Sequence, residues 1–129
     1  MRLRNIRGSK DVIASCPFVV QEPESCRGRW AEVFGNENPI HIEVGMGKGR
    51  FLMDMAVLHP EINYIGIEMY DSVLLRAVQK RDKLETELKS LFFIRMDARQ
   101  LPEVFAEGEV DRIYLNFSDP WPKDRHAER

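Results

Sequence analysis

The residues of this chain that could do chemistry gather in two stretches and at two isolated acids. The first stretch is Glu43-Val44-Gly45-Met46-Gly47-Lys48-Gly49. Glycines let a backbone turn tightly and let a ligand approach with no Cβ in the way. A helix starting just beyond them offers free N–H groups. The second stretch is NFSDPWPKDRHAER, which runs from Asn116 to Arg129. Pro120 and Pro122 stiffen the backbone around Trp121 and remove two donors, so Asp119 sits on a rigid loop. Lys123, Arg125, His126 and Arg129 add donors and positive charge, partly balanced by Asp124 and Glu128. The isolated acids are Glu68 in NYIGIEM and Asp97 in RMDAR.

The glycine spacing discriminates among ligands. Dinucleotide sites favour G-x-G-x-x-G, and P-loops need GxxxxGK[ST]. This chain has G-x-G-x-G, with Glu43 two positions ahead of the first glycine. A carboxylate there repels a pyrophosphate and suits a cationic amino group, such as that of S-adenosylmethionine (SAM). Glu68 follows Gly45 by 68 − 45 = 23 positions. That is the place where doubly wound folds put an acid on the ribose hydroxyls. Asp97 is placed to border an adenine and accept from its amine. Each feature has a plainer alternative: a structural turn for the glycines, solvated acids, a turn-former for Asp119, core packing for Trp121 and a solvated loop for the basic residues.

Positioning these residues takes an ordered scaffold. IHIEV, NYIGIEM, LFFIR and RIYLNF have the apolar patterning of strands. Between them lie KGRFLMDMAVLHP, with Phe51, Leu52, Met55 and Leu58 at helical spacing, and DSVLLRAVQKRDKLETELKS. The second of these has Asp71 as its N-cap and pairs Leu74 with Val78 and Leu84 with Leu88. ARQLPEVF is a short helix or turn broken by Pro102, and RWAEVFG a short helix ended by Gly35. Strand–helix alternation predicts an α/β, doubly wound, mostly parallel sheet with helices on both faces. Strand one is the expected centre, with strands two and three on one side and strand four on the other. The acids then lie at the carboxyl ends of neighbouring strands, where such sheets bind ligands. Four strands leave an exposed edge.

Composition sets the outer limits. The 129 residues carry 19 Lys and Arg against 21 Asp and Glu, a net charge of −2. That excludes a uniformly basic nucleic-acid binder and leaves room for local basic patches. Arg2, Arg4, Arg7 and Lys10 form such a patch as an N-terminal arm without acids. Hydrophobic residues at 43% and charged residues at 31% are globular composition. No run approaches the ~20 apolar residues that span a bilayer, and no apolar region follows the basic N-terminus. Cys16 and Cys26 fit no zinc or redox spacing, and a reducing cytoplasm is the simplest setting.

IEVGMGKGRFL, YIGIEMYDSVLLRAVQK, MDARQLPEVF and above all NFSDPWPKDRHAER resemble the bacterial tRNA (guanine-N7-)-methyltransferases of the TrmB type. The resemblance runs from about residue 40 to the end, and the basic arm is also similar. It implies a Rossmann-like class I SAM-dependent methyltransferase, of whose usual seven strands this chain holds the first four. Residues 1–38 are then the arm and lead-in, and 39–129 the N-terminal part of the methyltransferase domain. The implied activity is methyl transfer to N7 of a guanosine at variable-loop position 46 of tRNA, in the cytoplasm, by a monomer or homodimer without metal or membrane. The implied cofactor residues are Glu43, Gly45, Gly47, Glu68, Asp97 and Asp119. Asp119 is also the catalytic residue, Lys123 contacts substrate, and Arg125, His126 and Arg129 contact RNA. Two alternatives stay open. SDPWP loosely resembles the (N/D)PP(Y/W) loop of amino-methyltransferases, with Trp121 where a proline belongs; and the chain is also consistent with a non-catalytic SAM- or RNA-binding fragment.

Overall fold

Ile40, Ile42 and Val44 alternate with His41 and Glu43, and this alternation becomes strand β1, Ile40–Val44. The computed structural model describes residues 10–84 and 86–115. Within them β1 is flanked by β2 (Asn63–Glu68), and β2 in turn by β3 (Leu91–Arg95). Strand β4 (Arg112–Leu115) lies on the other side of β1, giving the order β3-β2-β1-β4. All three pairings are parallel. The expected topology is therefore the observed one.

Side-chain alternation divides the molecule into two cores. On one face Tyr64, Leu91 and Phe93 pack under the helices α3 (Arg50–Leu58) and α4 (Asp71–Asp82), through Leu52, Met53, Ala56, Leu74, Ala77 and Val78. A helical stretch over 10–15, α1, adds Ile13 to that core. On the other face Ile40, Ile42, Val44, Ile65, Ile67 and Ile94 meet Trp30 of α2 (Trp30–Phe34) and Val104 of α5 (Leu101–Val104). Trp30 is fully buried, stacks on Phe105 at 5.2 Å and donates its indole N–H to the Val104 carbonyl at 2.9 Å. Gly35 ends α2 with φ 80°, the left-handed turn only glycine adopts without strain.

The lead-in is stitched to the sheet. Val20 N–H donates to the Phe93 carbonyl at 2.9 Å, and Phe93 N–H to the Phe18 carbonyl at 2.8 Å. Residues 18–20 thus lie along the outer edge of β3, with Val19 bridged parallel to Phe93. Glu109 ties the same lead-in to the far end of the chain. Its carboxylate accepts from the N–H groups of Gly28, Trp30 and Ala106.

Several local expectations are corrected. The buried face of α3 is Leu52, Met53 and Ala56; Phe51 and Leu58 are exposed, at 36% and 68%. Phe51 instead packs edge-on against Tyr114 of β4 at 5.1 Å. Helix α4 stops at Asp82, so Leu84 is exposed while Leu88 enters the core from the connecting loop. The Arg81 guanidinium, lying over the Phe18 ring, fixes that loop by donating to the Leu88 carbonyl. Tyr70, not Asp71, is the N-cap of α4. Pro102 sits in the first turn of α5, where its missing N–H costs nothing, after a 3-10 turn over Ala98–Gln100. Among the described residues no helix is long and apolar enough to cross a membrane.

Candidate functional site

The parallel sheet brings three predicted acids to its carboxyl edge. Glu43 is the penultimate residue of β1 and only 1% exposed. Glu68 is the last residue of β2 and 7% exposed. Asp97 follows β3 by two residues, and the adjoining Met96 N–H donates to the Glu68 carbonyl at 3.2 Å. Glu43 and Glu68 fall on the face that carries α3 and α4, because they alternate with the isoleucines of the opposite face. Adjacent strands lie about 4.8 Å apart, so neighbouring tips are within reach of one nucleoside-sized ligand.

The glycine loop is sewn onto the tip of β2. Gly45 and Met46 N–H both donate to the Ile67 carbonyl, at 2.9 and 3.0 Å. Gly47 N–H donates to Glu68 Oε1 at 3.0 Å, and Tyr70 N–H to Glu68 Oε2 at 3.2 Å. Each Glu68 oxygen has a second lone pair for a ligand hydroxyl. Gly45, Gly47 and Gly49 adopt φ of 73°, 62° and 79°, so a side chain at any of them strains the backbone. Gly49 caps α3 with no side-chain bond to the first helical N–H groups, which leaves them directed at the loop.

Asp97 is held differently. Its side chain accepts from the Arg99 N–H at 2.9 Å and forms an ion pair with the Arg99 guanidinium at 2.8 Å. Gln100 returns a bond to the Asp97 N–H, completing a capping box. The Arg99 side-chain bond first, then its backbone bond, hold the Asp97 carboxyl down at about 2. A ligand amine at Asp97 therefore meets an acid already facing a cation. The Arg99 side chain is 90% exposed and has room to swing away.

Sequence reasoning missed three participants. Arg99 was legible as the D-x-R spacing in MDAR. Asp71 is an ion-pair hub: it holds Lys10 of α1 at 3.1 Å and Arg95 of β3 at 3.0 Å, beside the Glu68–Tyr70 turn. Gly66 faces the underside of the glycine loop, and nothing in NYIGIE marks it beyond being a glycine inside a strand. Asp119, Lys123, Arg125, His126 and Arg129 lie outside the described residues, as do Arg2, Arg4 and Arg7. Among the described residues no group of His, Cys, Asp and Glu is arranged to hold a metal. Cys16 and Cys26 are free, half-buried thiols. A hollow lined by Phe18, Arg81 and Leu88 lies where α4 ends and β3 begins, at the opposite edge from these acids.

Known proteins resemble the chain in sequence and in fold. Over 129 residues the chain is 60% identical to a tRNA (guanine-N(7)-)-methyltransferase of Lachnoclostridium phytofermentans, covering all of this chain and 59% of that protein. It is 55% identical over 130 positions to the protein of that name in Geobacillus thermodenitrificans, again covering all of this chain and 59% of the relative. The chain thus spans about 59% of the length of these curated relatives. A solved antibiotic-related methyltransferase superposes with a TM-score of 0.59 at 27% identity, over 76% of this chain and 48% of that one. Residues 37–129 match the Methyltransf_4 family model, described as "Putative methyltransferase". With that match covering most of its length, on a parallel sheet of methyltransferase topology, the chain belongs to the Methyltransf_4 family.

Proposed function

We propose that this chain is the cofactor-binding part of a SAM-dependent enzyme that methylates N7 of a guanosine in tRNA, at variable-loop position 46. The observation that carries the reading is 60% identity, over every residue of the chain, to a relative bearing that name. The site geometry supports it independently. A loop without Cβ atoms at its turns, a buried carboxylate on the strand leading into it and a second bonded to its Gly47 N–H suit an amino acid–nucleoside conjugate better than a pyrophosphate.

SAM, when bound, supplies an electrophilic methyl group on a sulfonium. Guanine N7 carries an in-plane lone pair and no proton, so the reaction needs no general base. The protein's task is then orientation and charge stabilisation. Glu43 would hold the amino group, Glu68 the ribose hydroxyls and Asp97 the adenine amine, with Arg99 turned aside. Asp119 would stabilise the positive charge the ring gains, or orient the ring through its N–H edge. Lys123 contacts the substrate, while Arg125, His126 and Arg129, with the N-terminal arm, engage the tRNA backbone. The setting proposed for this activity is the cytoplasm.

Incubating the full-length protein with SAM and unmodified tRNA, then identifying the methylated nucleoside by mass spectrometry, tests the reading. The expected product is 7-methylguanosine, absent when the variable-loop guanosine is replaced. A 6-methyladenosine product would place the protein with the amino-methyltransferases. Cofactor binding without any product would make it a binding module.

A further inference from the structure

The glycine loop is fixed from above by hydrogen bonds, and from below by a contact those bonds do not explain. Met46 sits between two glycines of the loop, yet it is only 5% exposed. Its side chain turns down into the core beside Leu52, Met53 and Phe93. The space it fills exists because residue 66 of β2 has no side chain. A Cβ on Gly66 would overlap the Met46 sulfur outright, and would stand 2.8 Å from Leu52 Cδ2 and 3.3 Å from Phe93 Cδ1. The Leu52 atom is a terminal methyl that can rotate away. The Met46 sulfur belongs to a buried side chain enclosed by Leu52, Met53 and Phe93, so displacing it strains the packing that seats the loop.

The geometry points to Met46 and Gly66 as a plug and slot that position the loop. A thioether fills irregular gaps well, since it is unbranched and polarisable. Seated over Gly66, it sets the level at which the Gly47 N–H reaches Glu68 Oε1. Gly49 is drawn into the same packing: a Cβ there would stand 3.1 Å from Met53 Cε and 3.3 Å from Ala77 Cβ. Gly66 and Met46 are thus positioning residues, acting on the ligand through Gly47 and Glu68. The inference rests on reading the loop as a SAM site.

A double-mutant comparison in the full-length protein tests it, with two readouts. One is amide hydrogen exchange at Gly45, Met46 and Gly47 without ligand; the other is SAM affinity by titration calorimetry. Gly66→Ala is expected to speed Gly47 exchange and weaken SAM binding, each about tenfold, as overpacking of a tight site does. Placed on Met46→Ala, the same change should add less than about twofold, because the colliding atom is gone. Placed on Leu52→Ala, it should keep its effect. Equal relief by Met46→Ala and Leu52→Ala would mean general crowding and overturn the inference, as would unchanged SAM affinity in Gly66→Ala. Should Gly66→Ala fail to fold, Met46→Ala alone decides: it loosens the Gly47 amide where Leu52→Ala does not, and equal loosening overturns the inference. A wild-type protein that shows the exchange pattern but binds no SAM upholds the plug and sinks the cofactor reading.

Discussion

Asp97 shows how a single side chain links fold and site. It caps the 3-10 turn, faces Arg99 and stands where a nucleobase amine is expected. Its carboxyl is held at about 2, against an ordinary 3.8, by the Arg99 side-chain bond and then the backbone bond. A depressed acid stabilises the fold above its unfolded value and loses that contribution as pH falls through the folded one. The contact is therefore complete above pH 3.8 and fades toward pH 2. Carbon-detected titration should place the Asp97 midpoint near 2, and Arg99→Ala should return it most of the way to 3.8. The pair is exposed, so added salt should also raise the midpoint. At Asp119, Asp119→Ala in the full-length protein should abolish most methyl transfer and leave SAM binding partly intact. Turnover near that of the wild type would remove Asp119 from the mechanism.

Among the elements, Glu109 ties the lead-in to the loop before β4. Glu109 satisfies three backbone N–H groups across the α2 entrance and the loop before β4. Glu109→Ala strands those donors, and chemical denaturation should show a loss of about 2 kcal/mol. Glu109→Gln, which keeps one acceptor oxygen, should lose less. The sequence disclosed the strands and their order well, because apolar runs between turn signals are short-range patterns. Glu43, Glu68 and Asp97 followed from that order, since parallel strands put their carboxyl ends together. What it hid was set by contacts distant along the chain. Phe51 is apolar and helically spaced with Met55 and Leu58, yet it packs against Tyr114 on the β4 side. Leu88 is buried without being helical, because Arg81 anchors its carbonyl. Gly66 looked like any strand glycine until Met46 was seen above it. No period in the sequence encodes such pairings.

For the molecule as a whole, the two sides of the sheet differ in finish. Beyond β3 the edge is covered by residues 18–20, whereas at β4 Ile113 and Leu115 are 50% and 62% exposed on one face. Exposed apolar edge strands pair with other chains. The isolated 129-residue chain should therefore self-associate, as light scattering would detect, and Ile113→Lys with Leu115→Glu should shift it toward monomer. With a net charge of −2 on this chain, the proposed tRNA binding would depend on local basic groups, not on the overall field. Affinity should fall steeply as salt rises, with a slope that Arg125→Ala and Arg129→Ala each make shallower. An affinity indifferent to salt would rule out the basic arm and the C-terminal run as the contact.

The strip over β3 also governs the timing of assembly on the ribosome. Phe18 and Val20 leave the exit tunnel long before Phe93, the residue whose backbone they bond. Until β3 is synthesised, the nascent lead-in has no sheet to lie on, and its apolar side chains wait in solvent or on a chaperone. A segment made well before the sheet thus docks only once β3 exists.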